Sequence, residues 1–198
     1  MSSCSQRIGV FGGSFDPIHI GHLISARSLA EQLDLQLVLF LPAGHSPLKS
    51  GHYAAPEHRL QMVKLAVADN PLFQTCDYEV CKGGASYTVE TLKYLHSVYP
   101  GAELVLLIGA DSAAQLQNWH EYRQLPDLCT IAAAVRSGFA VSDLKTALPV
   151  QFCTTPLIDI SSTEIRNRLK KRESVQYLLP SVVIEYISAN KLYSEWNC

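Results

Sequence analysis

Short apolar runs between segments of helical spacing constrain this chain most. Leu37–Pro42 and Leu104–Ile108 are continuously apolar, with no polar residue at alternate positions. A strand with one wet face would alternate, so these runs belong to strands covered on both faces. Similar strands are expected over Arg7–Gly12, Leu35–Leu41, Leu72–Cys76, Leu104–Gly109, Cys129–Val135 and Val150–Cys153. Helical spacing fills the gaps at Gly21–Leu33, with Leu23, Ala26, Ala30 and Leu33 inward, at Pro56–Asp69, and from a Ser86 cap to Tyr99. A broken helical region starts at Asp111, and Ser161–Leu169 and Pro180–Leu192 close the chain. Such alternation predicts an α/β fold, a Rossmann-like doubly wound parallel sheet with helices on both faces. Residues 1–198 fit one domain, with a C-terminal helical part from about 161 packed on it. Ligands of such folds bind at the carboxyl ends of the strands, so the loops there are the places to look.

The first such loop, Gly12 to His22, reads GGSFDPIHIGH. Gly12 and Gly13 permit tight turns and a close ligand, and Pro17 stiffens the loop. His19 and His22 are three residues apart and share a face in helical geometry. A helix entrance here points N–H groups at an anion, and two imidazoles can donate to a phosphate whose charge shifts during reaction. The glycines match neither GxGxxG nor a Walker loop. Either histidine alone reads equally well as structural; their joint placement favours the phosphate site.

A second anion site is expected at Asp159–Arg168, DISSTEIRNR. Ser161 and Glu164 make a capping box, which explains those two residues without any ligand. Ser162, Thr163 and Arg166 add hydroxyls and a guanidinium fork at the same helix start, suited to the end of a triphosphate.

Between the two lie further candidates. Gly109 and Asp111 follow a buried strand; Asp111 either accepts from a ribose or amino group or caps a helix. Trp119 either stacks on a ring or packs in the core. His45 and Lys49, in the long Ala43–Pro56 loop, and Arg136 after a strand are phosphate contacts or solvated surface.

Composition narrows the partners. Hydrophobic residues at 47% and charged residues at 17% describe a globular chain rather than a disordered one. A net charge of −2, with Lys170–Arg172 as the densest basic cluster, excludes a nucleic-acid footprint. The N-terminus has no signal-peptide pattern, and no apolar run is long enough to span a membrane. The six cysteines include no CxxC pair, so a reduced, cytoplasmic setting is expected.

These motifs carry a family resemblance. GGSFDPIHIGH resembles the GxFxPxHxGH signature of the nucleotidylyltransferase superfamily, and ISSTEIR resembles its ISSTxIR signature. SYTVETL at Ser86–Leu92, LLIGADSAAQLQNWHEYRQL at Leu106–Leu125 and the closing LLPSVVIEYISANKLY are similar to segments of bacterial nicotinate-nucleotide adenylyltransferases. The resemblance implies a Mg2+-assisted reaction of ATP with nicotinate mononucleotide, giving nicotinate adenine dinucleotide and pyrophosphate. It implies that His19, His22 and Arg166 act on the phosphates. Gly12, Gly13, Ser14, Phe15, Gly109, Asp111, Ser161, Ser162 and Thr163 would contact ATP. Lys49, Ser86, Tyr87, Thr88, Trp119 and Arg136 would serve the acceptor, and no protein residue is assigned to metal. The chain departs from the family at Gly44–Lys49, GHSPLK, where a PPHK-like segment is common, and at Ser137, where RPG is usual after the arginine. Nicotinamide mononucleotide as acceptor, or a non-catalytic nucleotide sensor on the same fold, are the competing expectations.

Overall fold

The computed structural model describes residues 5–45, 53–136 and 145–193. Six strands form one parallel sheet: β1 (Arg7–Gly13), β2 (Leu37–Pro42), β3 (Phe73–Thr75), β4 (Glu103–Gly109), β5 (Thr130–Arg136) and β6 (Gln151–Thr155). Their order is β3-β2-β1-β4-β5-β6. The chain steps outward from β1 to β3, then returns to the other side of β1 at β4. The loops leaving β1 and β4 therefore diverge and open a crevice between them.

The apolar runs are explained by two separate cores. Successive strand residues point to opposite faces, so Val38, Phe40, Val105 and Leu107 enter one core. Leu39, Leu41, Leu104 and Leu106 enter the other. The first core is closed by α1 (Ile20–Gln32), α2 (Pro56–Val67), α7 (Ser162–Lys170) and α8 (Ser181–Ala189), through residues such as Leu29, Met62, Ile165 and Val183. The second is closed by α4 (Thr88–Val98), through Val89, Leu92 and Leu95, with Leu116 and Leu125 beside it. The predicted doubly covered parallel sheet is what the chain forms.

Several local expectations shift. Helix α1 buries Ala26, Leu29 and Ala30, whereas Leu23 stays half-buried. A five-residue helix, α3 (Tyr78–Lys82), was not anticipated, being too short for a periodic signal. Helix α4 begins at Thr88 with Tyr87 at its N-cap and no side-chain cap. The Ser86 hydroxyl accepts instead from the Gly44 N–H at 3.0 Å. The region after β4 resolves into the short helices α5 (Ala110–Ala113) and α6 (Leu125–Leu128) with two 3-10 turns between them.

Leu107 is fully buried at the centre of the sheet. Leu107→Ala should lower unfolding free energy by about 2–5 kcal/mol in a urea titration, with the slope unchanged.

Candidate active site

The crevice holds a cavity of about 460 Å³ at the carboxyl ends of β1 and β4. Gly12, Gly13 and Ser14 line it from one side and Gly109 from the other. The candidate segment Ser86–Thr88 and the candidate Trp119 line it as well. Eight expected contacts from four separate stretches of sequence thus converge on one space. Tyr87 and His120 pack against each other in its lining, ring centroids 4.2 Å apart. The first residue of α4, Thr88, opens on the same cavity, so a helix entrance is directed there.

Beyond the Gly12–Ser14 rim the loop turns into α1. Gly12 and Gly13 remain extended strand residues, because Gly13 still pairs with Pro42. The reversal falls on Phe15, at φ 46°. A left-handed backbone costs a non-glycine residue about 1 kcal/mol, and here burial offsets it. The Phe15 ring is 2% exposed and packs edge-on to His22, Phe11 and close to Phe40. Its side chain therefore belongs to the core, and only its backbone is available to a ligand.

His19 caps α1 and lies 6% exposed. Its ring stacks on His22, centroids 3.6 Å apart. The His19 N–H donates to Nδ1 of His22 at 3.2 Å, which leaves the neutral His22 ring protonated on Nε2. A side chain at Gly21 would begin 3.0 Å from Nδ1 of His19, so glycine is what lets the imidazole lie against the first helical turn. Burial pushes His19 down to about 4, and its buried Nδ1 has no hydrogen-bond partner. His19 is consequently neutral at physiological pH, not the cation that a simple phosphate clamp would call for.

Helix α7 is stitched to this loop. Ser161 caps it by accepting from the Glu164 N–H at 3.1 Å. The Ser162 hydroxyl donates to the Pro17 carbonyl at 2.9 Å. Arg166 donates through Nη1 to the Asp16 carbonyl at 2.7 Å and through Nη2 to Thr163 Oγ1 at 3.1 Å. The two signature segments, about 145 residues apart in sequence, therefore form one surface.

Two buried charges that sequence reasoning passed over hold this surface. Asp16 is 4% exposed. Its carboxylate accepts from Tyr53 N–H at 2.7 Å, Ala54 N–H at 3.1 Å and the Tyr193 hydroxyl at 2.7 Å. Arg59 is fully buried and donates to the carbonyls of Ser14 at 2.8 Å, Gly44 at 2.9 Å and Ala54 at 3.2 Å. Burial depresses its guanidinium, and the charge of Asp16 opposes that shift. A signal existed for Arg59: it falls in phase with Met62, Val63 and Val67 on the buried face of α2. Glu79 was also missed, for lack of any motif. It lines the cavity and accepts from the Thr91 hydroxyl at 2.8 Å, and burial raises its carboxyl above the usual range.

The remaining candidates separate. Asp111 is exposed and does not line the cavity; Ser112, one residue on, does. Lys49 lies outside the described residues. Arg136 ends β5, with its side chain outside the description. Magnesium, implied by the family resemblance, finds no protein cage among these groups. Asp16 spends its oxygens on three donors, and the two imidazoles offer nitrogen where Mg2+ prefers oxygen. Among the described residues no cluster of three His, Cys, Asp or Glu side chains could hold a metal, and no helix is long and apolar enough to cross a membrane.

Two stability measurements test this geometry. Arg59→Met strands three carbonyls and leaves Asp16 without its buried counter-charge, and should cost about 3–5 kcal/mol in urea unfolding. For His19, the folded value near 4 lies below the ordinary 6.5. Between those values the unfolded chain binds the extra proton, so this contribution is complete above pH 6.5 and is lost as pH falls toward 4. His19→Asn should therefore lose about 2–3 kcal/mol less stability than the parent on going from neutral pH to pH 4.5.

The geometry has known counterparts. A cytidylyltransferase-like family model matches residues 10–168. The "Probable nicotinate-nucleotide adenylyltransferase" of Thermomicrobium roseum is 43% identical over 197 residues, covering 95% of this chain and 92% of that one. Its namesake from Thermus thermophilus is 43% identical over 188 residues, covering 95% of this chain and 100% of that one. The solved structure of a Plasmodium falciparum nicotinic acid mononucleotide adenylyltransferase complexed with NaAD shares the fold. It superposes with a TM-score of 0.78 at 22% identity, over 95% of this chain and 97% of that one. Family model and near-full-length relatives agree: this chain belongs to the nicotinate-nucleotide adenylyltransferase family, within the cytidylyltransferase-like group.

Proposed function

We propose that this chain transfers the adenylyl group of ATP to nicotinate mononucleotide, releasing pyrophosphate and nicotinate adenine dinucleotide. The single observation carrying this reading is the stitching of α7 to the loop before α1 by the Ser162–Pro17 and Arg166–Asp16 hydrogen bonds, beside a cavity lined by residues following both β1 and β4. A polyphosphate and a second phosphorylated molecule can then meet at one edge of the sheet.

The chemistry needs no covalent intermediate. A phosphate oxygen of the mononucleotide attacks the α-phosphorus in line. The bond from that phosphorus to the α–β bridging oxygen breaks, and pyrophosphate leaves with the electron pair. The attacking oxygen is already ionised, so no base is required. Nε2 of His22, left as the N–H donor by the bond to Nδ1, is suited to donate to the α-phosphate oxygens as they gain charge. His19 enters neutral, and an approaching phosphate favours its protonation. Arg166 carries more N–H donors than the two bonds it makes to Asp16 and Thr163, and the leaving pyrophosphate takes the rest. Ser161, Ser162 and Thr163 set the α7 entrance that receives the same oxygens. Mg2+ would travel with ATP, ligated by phosphate, and no protein residue is assigned to it.

For the acceptor, the Thr88 entrance of α4 would receive the nicotinate carboxylate, with Tyr87 and Trp119 against the ring. Ser86 works indirectly: its N–H donates to the His45 carbonyl and its hydroxyl accepts from Gly44. Lys49 and Arg136 are assigned to phosphate by resemblance. A cytoplasmic setting belongs to the same reading, in keeping with the free thiols of Cys76, Cys81, Cys129 and Cys153. The Glu79 carboxyl lining this cavity favours one second reading, in which it accepts from the amide of nicotinamide mononucleotide.

Pyrophosphate release from ATP and Mg2+, measured with each mononucleotide in turn, separates these readings. Turnover with the acid form is expected to dominate; exclusive use of the amide would overturn the assignment, and ATP binding without release would indicate a sensor. His22→Ala should reduce kcat about 100-fold or more while the melting temperature moves by only a few degrees.

A further inference from the structure

We propose that Tyr193, on the segment following α8, is a positioning residue for Arg166 that acts through Asp16; this rests on the adenylyl-transfer reading above, in which Arg166 holds the leaving pyrophosphate. Tyr193 is far from either signature segment in sequence and touches no expected ligand contact other than through this route. Its ring is 6% exposed and belongs to the core between the sheet and the C-terminal helices. Its hydroxyl donates to Asp16 Oδ1 at 2.7 Å. Burial and the neighbouring carboxylate push the phenol well above its ordinary value, so it remains a donor at every working pH.

Asp16 then reaches Arg166 along two paths. Its backbone carbonyl accepts directly from Nη1 at 2.7 Å. Its carboxylate holds the Tyr53 N–H at 2.7 Å, and the Tyr53 ring lies 4.1 Å from the Arg166 guanidinium carbon. Arg166 is only half-buried, so these two contacts, with Thr163, restrict a side chain that otherwise has many rotamers. Remove the Tyr193 hydroxyl, and among the described residues Oδ1 retains the longer bond from Ala54, at 3.1 Å. A buried carboxylate short of a donor reorients to recover one. Both the Asp16 carbonyl and the Tyr53 ring then lose their fixed places, and the guanidinium with them. The acceptor side of the cavity, Ser86–Thr88 and Trp119, lies on other elements than this network.

The test is initial-rate kinetics on the full chain with ATP, nicotinate mononucleotide and Mg2+, for Tyr193→Phe, Tyr53→Leu, Arg166→Ala and the double variant Tyr193→Phe/Arg166→Ala. Tyr193→Phe keeps the packed ring and should raise KM for ATP about threefold to tenfold, the worth of one hydrogen bond. KM for the mononucleotide should stay within about twofold, below the effect of one hydrogen bond. In the Arg166→Ala background the same change should add nothing, since the group being positioned is gone. Equal change in both KM values, no change in either, or a full additional loss in the double variant would overturn the inference. Tyr53→Leu, at an exposed site, must reproduce the ATP-side loss even if Tyr193→Phe folds poorly; an unaltered KM for ATP there overturns it as well. An Arg166→Ala variant with normal ATP kinetics would instead defeat the parent reading of Arg166.

Discussion

The arrangement depends on a carboxylate buried inside the protein and engaged by three donors. Asp16 is surrounded by chain from three distant stretches, and each supplies a donor to its carboxylate or its carbonyl. Burying a charge is costly unless hydrogen bonds replace the lost water. Here the replacement donors come from the approach to α2 and from the segment after α8, so satisfying one side chain forces those pieces together. Arg59 is the counterpart, fully buried and occupied with carbonyls on both sides of the β1 loop. Neither residue lines the cavity, yet Arg59 holds the carbonyl of Ser14, which does.

That scaffold bears on the electrostatics. The crevice has strong donors without a strong fixed positive field: His19 is held neutral, and Arg166 is placed at the far helix entrance. On the proposed reading, a neutral imidazole donor at the α-phosphate binds a resting polyphosphate less tightly than a cation. It gains most when negative charge develops, which is the differential stabilisation that raises rate rather than affinity. The stacked imidazole pair fits this division, since two cations at 3.6 Å would repel.

Much of the candidate site was legible in the sequence because its parts are local. A glycine-flanked loop after an apolar strand, two histidines at helical spacing and a capped helix with an arginine four residues on are each read within a dozen residues. Gly12–Ser14, Ser86–Thr88, Gly109 and Trp119 all line the one cavity. The burial of the Phe15 ring was not legible, because its motif position says nothing about which way a left-handed residue aims its ring; packing against Phe11, Phe40 and His22 decided that. The exposure of Asp111 was hidden for a related reason, since α5 leaves it on the surface and puts Ser112 in the lining.

The doubly covered parallel sheet, its alternation with helices and the two phosphate-type helix entrances were determined by the sequence alone, because hydrophobic periodicity and capping are short-range properties of the chain. Only the tertiary structure decided the pairing of those entrances, the neutrality of His19 and the partnership of Asp16 with Tyr193. These depend on desolvation and on contacts between residues up to 177 positions apart. No local pattern encodes either quantity, since both are set by what the rest of the fold places alongside.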